Sequence, residues 1–365
     1  MRDASEFSKE RVNTQNLSSD NYVATENMLQ DYQGIIEASS VPTNTNVIKF
    51  NKCDVLLSNI RPYLKKVWFA DKNGGCSADV FVFKALSACI PDFLHYIIAN
   101  DRFINFAMSG AKGVKMPRGD KEQMKTYEIG LPSIEEQKKI AKLLSLLDER
   151  IATQNKIIDK LQSLIKGINQ NVFTDDGFNY MLKELCEIRS GYSGNQLTSK
   201  NGLKVSRIET ISGHKVNIER VGYVAPFASS ENYKLQIGDI LFSNINSVEY
   251  IGNTAFIEKD YGLYHGMNLL RLMPNKNIVI PLYLYLLLNT NKMQNHFKTI
   301  CNKAVSQASI NQTELGKTVV KIPSIKAQKQ ICELYQSLYN KLETENNAIS
   351  LLQKQKEYLL RQMFI

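Results

Sequence analysis

A chain of 365 residues, 43% hydrophobic and 22% charged, is long enough for two or three domains with cores of their own and too apolar for a disordered tail. Its formal charge of +9 points to an anionic partner, and nucleic acid is the usual one. No run of about eighteen apolar residues occurs, so neither a membrane span nor a membrane partner is expected.

The polar opening MRDASEFSKERVNTQNLSSD lacks the apolar stretch of a secretory signal. The six cysteines (Cys53, Cys76, Cys89, Cys186, Cys301 and Cys332) form no CxxC pair, which predicts a reduced, cytoplasmic protein without a zinc knuckle. In chain order, DVLLSNI (from Asp54) and DVFVFKAL (from Asp79) read as strands and FLHYIIAN (from Phe93) as a helix. RPYLKK (Arg61 to Lys66) and KGVKMPRGDKEQMK (Lys112 to Lys125) gather cations beside Gly and Pro, as loops do that hold charge out to phosphates. For either loop alone, a solvated surface is the simpler account. LPSIEEQKKIAKLLSLLDERI, from Leu131, opens a helix, with Ser133 and Glu136 spelling a capping box. A second series follows: DILFSNI (from Asp239) and GNTAFIEK (from Gly252) as strands, then YLYLLLNT (from Tyr283) as a helix. It ends in IPSIKAQKQICELYQSLYNKL, from Ile322, where Ser324 can cap but Ala327 lacks the reciprocal carboxylate.

The two series are copies of one unit. Asp54, Ser58, Asn59 and Ile60 correspond to Asp239, Ser243, Asn244 and Ile245, 185 positions on. PDFLHYIIAND (from Pro91) parallels PLYLYLLLNTN (from Pro281), and the helix openings lie 191 apart. So long a period means domain duplication, not a solenoid. The predicted division is a globular domain over 1–131, a spacer helix over 132–173, a second domain over 174–322 and a second helix over 323–365. Tandem similar domains tend to pack about a pseudo-twofold axis, which suits a duplex read at two half-sites.

Behind both openings the apolar spacing alternates four and three, the mark of a coiled coil. The first stripe runs Ile140, Leu144, Leu147, Ile151, Gln154, Ile158, Leu161, Ile165, Ile168, Val172. The second runs Ile331, Tyr335, Leu338, Leu342, Glu345, Ile349, Leu352, Lys356, Leu359, Met363. Each helix would reach roughly 60 Å at about 1.5 Å per residue. Pseudo-twofold symmetry makes the pair antiparallel and brings Gln154 and Glu345 together as a polar layer that sets register. Gly167 is a weak point in the first helix.

No catalytic site is legible. There is no Asn-Pro-Pro-Tyr-type tetrapeptide, no G-x-G-x-x-G turn and no P-loop. Glu136-Gln137-Lys138 spells E-x-K by chance, without an acidic partner, and His95, His214, His265 and His296 lack metal-ligand spacing. Neither cofactor nor metal is called for, and a binding protein that is not an enzyme is the reading favoured.

The paired LPSIEEQKKI and IPSIKAQKQI openings, the C-terminal KEYLLRQMFI, and NYVATENML, SGAKGVKMPRG and CEIRSGYSGNQ resemble the specificity subunit of type I restriction–modification enzymes over nearly the whole chain. The resemblance implies an α/β fold of two target recognition domains with mixed sheets, joined by two long helices in an antiparallel coiled coil. Each domain would read one half of a bipartite site in double-stranded DNA. Two DNA-methyltransferase (modification) subunits would dock on the helices, and restriction/translocase subunits through them. Methylation and cleavage would belong to those partners.

Base reading needs Arg, Lys, Asn, Gln, Ser or Thr on exposed loops. In the first half the candidates are Lys112, Lys115 and Arg118, with Asn59, Arg61 and Lys65 on the other cationic loop. In the second, the matching stretch CNKAVSQASINQTEL offers Gln307, Ser309 and Asn311, amides and a hydroxyl in place of cations. Ser193, Arg207, Ser243, Asn244 and Asn246 complete the set. Asn59 and Asn244 recur in both copies, as structural residues also would, so Arg118 and Gln307, where the copies diverge, rank above them. Two other readings stay open: a DNA-independent coiled-coil scaffold, which leaves the cationic loops unexplained, and a recognition part detached from a fused restriction–methyltransferase enzyme.

Overall fold

The computed structural model describes residues 1–113, 115–173, 177–304 and 307–364. Val114 of the cationic loop, Val305 and Ser306 of its counterpart, and Ile365 lie outside them. Two compact units emerge: Met1–Lys156 with Glu345–Ile365, and Ile157–Thr344. Each therefore holds one globular domain and part of each long helix. Among the described residues no helix is long and apolar enough to cross a membrane. The six cysteines are unpaired thiols.

In the first unit four antiparallel strands lie side by side in the order Ser5–Phe7, Val80–Ala85, Val55–Ser58, Val67–Phe69. Val55 and Leu57 face a core with Phe81, Phe83, Phe93, Leu94, Ile97 and Phe103, the last four from the helices Pro91–Ile98 and Asp101–Ser109. Leu56 and Val82 face the other way, onto Phe50 and Trp68. Burial on both faces is why DVLLS reads as an unbroken apolar run. A second sheet, Arg11–Asn13, Asn46–Phe50, Gly74–Cys76, Tyr22–Val23, includes one parallel pair.

The second unit repeats this frame. Its main sheet runs Cys186–Ser190, Leu270–Pro274, Ile240–Phe242, Thr254–Phe256, the same order strand for strand. Ile240 and Phe242 pack on Tyr283, Leu284 and Leu287 of helix Pro281–Leu288 and on Phe297 of helix Asn291–Ile300. The repeated aspartates explain themselves: Asp54 accepts from the Asn51 N–H at 2.7 Å and Asp239 from the Gln236 N–H at 2.6 Å, each closing the turn into its strand.

The long helices span Ile134–Asn171 and Ile325–Met363. Ser133 Oγ accepts from the Glu136 N–H at 3.3 Å and Ser324 Oγ from the Ala327 N–H at 3.4 Å. The reciprocal half of the capping box is not formed: the Glu136 carboxylate turns to the Ser133 hydroxyl, 3.5 Å away. Within the first unit the helical segments run antiparallel, with Asp148 accepting from Lys356 Nζ and the Gln154 amide donating to the Glu345 carboxylate. There Leu144 is fully buried in the domain core, and Leu359, Leu360 and Phe364 pack on that core. Within the second unit Ile165 and Tyr335 bury together with Leu286, ringed by Ile168, Phe173, Leu338 and Leu342.

Candidate nucleic-acid interface

The two cationic loops of the first unit, half a domain apart in sequence, form one surface. Lys112 and Arg118 exchange backbone hydrogen bonds (3.0 and 2.9 Å) and close a hairpin. That hairpin is stitched to the SNI loop: the Arg61 N–H donates to the Pro117 carbonyl at 2.8 Å, and the Gly119 N–H to the Asn59 carbonyl at 3.2 Å. Lys115 is exposed near the hairpin tip. Arg118 reaches Asp79 at 3.4 Å with over half of its side chain (57%) still in solvent, and Lys112 pairs with Asp120 at 2.8 Å. The Asp120 hydrogen bond raises the Lys112 ammonium above its ordinary value, so it stays charged. Arg61 and Lys65 both hold left-handed backbones (φ 50° and 53°) around the turn Pro62–Leu64, which bulky residues adopt only under constraint.

Lys65 is engaged within the domain. Its ammonium bonds Asp101 at 2.8 Å and lies over the Tyr32 ring, whose hydroxyl donates to the same carboxylate at 2.9 Å. It ties the helix Asp101–Ser109 to the loop below, and charge in a cationic sequence run did not reveal that commitment.

The second unit builds a corresponding hairpin, one residue longer between its paired ends. Asn302–Lys303 pairs with Ala308–Ser309, and that strand with Ile245–Asn246. The Ile310 N–H donates to the Asn244 carbonyl at 2.9 Å, as Gly119 does to Asn59. Ser309 thus stands where Arg118 stands. The Ala304 N–H donates to the Gln307 carbonyl at 2.8 Å, leaving the exposed Gln307 side chain at the tip. In both SNI loops the asparagine side-chain carbonyl (Asn59 Oδ1, Asn244 Oδ1) is buried without a hydrogen-bond partner among the described residues.

Two second-unit candidates have structural roles. Ser243 is fully buried and accepts from Asn246 Nδ2 at 3.1 Å, so its hydroxyl is out of reach of a duplex. Asn311 caps the helix Gln312–Lys317, accepting from the Glu314 N–H at 2.8 Å, as Asp120 caps Lys121–Lys125 in the first unit. Asn246 also accepts from the Ser247 N–H, which holds it within its loop. Ser193 and Arg207 are exposed, Arg207 lying 3.6 Å from Glu209.

Next to Ser193, Tyr192 stacks on Phe227 (3.8 Å between centroids) with Tyr233 edge-on to both. Tyr233 also lines a polar cleft of about 650 Å³ with Arg189, Ser190, Asn232, Arg271 and Gln312. Arg271 pairs with Asp239 at 2.6 Å in the interior. Sequence reasoning passed over Arg271, because it lies in a strand. Only the register, which puts it opposite Leu241 where the first unit has Val82 opposite Leu56, marks it as a place where the copies differ. His265, in the same cleft wall, is pushed by burial down to about 4 and is neutral. Among the described residues no group of three or more His, Cys, Asp or Glu side chains could hold a metal ion.

A duplicated α/β frame, each copy bearing a polar-tipped hairpin and feeding a long helix, defines a class of tandem-domain proteins. The family described as type I restriction modification DNA specificity domain matches residues 7–163 and again 177–354, and the chain belongs to that family. A putative type I restriction enzyme MjaX specificity subunit of Methanocaldococcus jannaschii is 44% identical over 187 residues, 50% of this chain and 44% of that protein. The MjaVIII specificity subunit of the same organism is 27% identical over 285 residues, 70% of this chain and 65% of its own. The chain thus spans less than two thirds of either relative. Among solved structures, the type I restriction–modification S subunit from M. genitalium superposes with a TM-score of 0.61 at 17% identity, covering 100% of this chain and 94% of that one. The HsdS subunit from Thermoanaerobacter tengcongensis gives 0.52 at 19%, covering 98% and 94%. At those identities the likeness is one of fold.

Proposed function

We propose that this chain is the sequence-reading subunit of a type I restriction–modification complex, with one half of a bipartite duplex target read by each globular domain. The observation that carries this is the hairpin built twice on one backbone frame with different side chains. Lys112, Lys115 and Arg118 suit guanine edges and phosphates, whereas Gln307 and Ser309 suit adenine edges and hydroxyl contacts. The long helices space the domains and dock two methyltransferase subunits, and restriction subunits join through these. Exposed apolar side chains on the first helix support docking: Leu143 and Leu146 in one unit, Ile157 and Leu164 in the other. Methylation and cleavage reside in the partners, and the complex works in the cytoplasm.

The test is to express the chain with its modification partner and map methylated adenines. The expected result is one two-part motif with a fixed gap. Arg118→Ala should alter base preference in one half only, and Gln307→Ala in the other only. An absent motif, a contiguous one, or changes in both halves from either substitution would count against the assignment. Partner assembly with no DNA affinity at all would favour the scaffold reading instead.

A further inference from the structure

The Pro-Ser-Ile-x-x-Gln opening of each long helix contains a glutamine that neither capping nor the apolar stripe explains, Gln137 in one and Gln328 in the other. Both are fully buried. Gln137 accepts from the Ile90 N–H at 2.9 Å and donates to the carbonyls of Ala88 at 2.8 Å and Pro132 at 3.0 Å. Gln328 accepts from the Ile280 N–H at 2.8 Å and donates to the carbonyls of Ile278 at 3.1 Å and Pro323 at 2.9 Å. The same three backbone groups are met in the same roles. Ile90 and Ile280 immediately precede the helices Pro91–Ile98 and Pro281–Leu288, and Pro132 and Pro323 lie just ahead of each spacer helix. Each glutamine therefore clasps a domain to its spacer across 47 or 48 residues of sequence.

Apolar burial of Ala141 and Leu144 in one unit, or of Cys332 and Tyr335 in the other, holds helix against domain but is not directional. Three hydrogen bonds converging on one planar amide are directional, and burial strengthens them. They fix rotation and slide where packing alone leaves both soft. The copies have drifted elsewhere, at Arg118 against Ser309 and Glu136 against Ala327, yet this clasp is intact in both. We propose that Gln137 and Gln328 are positioning residues that set the pose of each domain on its spacer and, through it, the gap between half-sites that the complex accepts. Over a lever of roughly 20 Å, the scale of a domain of this size, a tilt of about 10° displaces a surface by about 3.5 Å, close to one base-pair rise.

This inference rests on the bipartite reading proposed above. Its test uses the full chain assembled with its modification subunits and duplexes in which the mapped gap is lengthened or shortened by one or two base pairs. Gln137→Met and Gln328→Met preserve side-chain length while deleting all three bonds. Wild type should favour one gap by at least about tenfold, and either variant should reduce that preference to about threefold or less with base choice inside each half-site unchanged. A folded Met variant with the wild-type gap profile overturns the inference alone, and a wild type indifferent to the gap overturns the bipartite reading with it. Gln137→Asn and Gln328→Asn keep the amide but shorten its reach. They are read against the same two outcomes if a Met variant fails to fold.

Discussion

Arg118 and Ser309 occupy one position of the duplicated hairpin, and chemistry separates them. A guanidinium more than half in solvent, braced by Asp79, offers a fork for a guanine edge or a phosphate. Arg118→Ala should cost about 1–3 kcal/mol of DNA affinity if it reads a base. If it contacts a phosphate instead, all sequences should weaken alike and the salt slope should fall by about one unit, so titrations at several salt concentrations separate the roles. An unchanged affinity and slope would remove Arg118 from the interface. At this scale sequence was a partial guide. Lys112 and Arg118 stand out as polar residues beside turn formers, and Gln307 by its place in the matching stretch of the second copy. Ser243 and Asn311 have equally suitable side chains, but one is buried and the other caps a helix, and residue type alone tells neither. The cleft arginine Arg271 was hidden for the opposite reason, a charge in a run otherwise typical of a core strand.

The long helices were the most legible elements, because period and capping chemistry both sit in adjacent residues. The stripe positions Leu144, Gln154, Ile158 and Ile165 are indeed the buried face of the first helix. Gln154 is an amide in that face, donating to Glu345, and such a layer trades stability for register. Gln154→Leu combined with Glu345→Leu should leave the urea midpoint equal or higher while admitting shifted registers. Cysteine pairs placed one heptad out of register would then cross-link in the variant and not in wild type, and absent cross-links would reject a register role. Gly167 is a separate case. A Cβ there would meet no atom within 4 Å, so Gly167→Ala should raise stability by about 0.5–1 kcal/mol in urea unfolding. A destabilised variant would mean that the helix is not formed there in solution. The sheets were harder to foresee. Strand runs were recognisable, but their order depends on partners dozens of residues away, and only the duplication shows that both copies solved the pairing alike.

For the whole molecule, acid is the expected weakness, since each unit contains a buried neutral histidine. Burial lowers His95 in the first and His265 in the second from 6.5 to about 4. A lowered folded-state value means that the unfolded chain takes up more protons between those limits. The stabilisation is therefore whole above pH 6.5 and drains away as pH falls toward 4, at about 1.4 kcal/mol per pH unit for each histidine. Urea unfolding between pH 7.5 and 5 should show this slope, and His95→Gln should flatten it by one histidine's share. An unaltered slope in that variant would place the acid sensitivity elsewhere.

Under the proposed reading, the hairpins bear on how the target of such a protein changes. Each one ends on the same main-chain bond, Gly119 to Asn59 and Ile310 to Asn244, and runs straight into a short capped helix. Side chains between those fixed ends can be traded without disturbing the frame that holds them. If the hairpins read bases as proposed, the segment is an exchangeable cassette: residues 112–120 transplanted over 302–311 should give a chain whose two domains share one taste in bases. New specificities could then arise by recombination within a single gene, with the docking machinery left as it was.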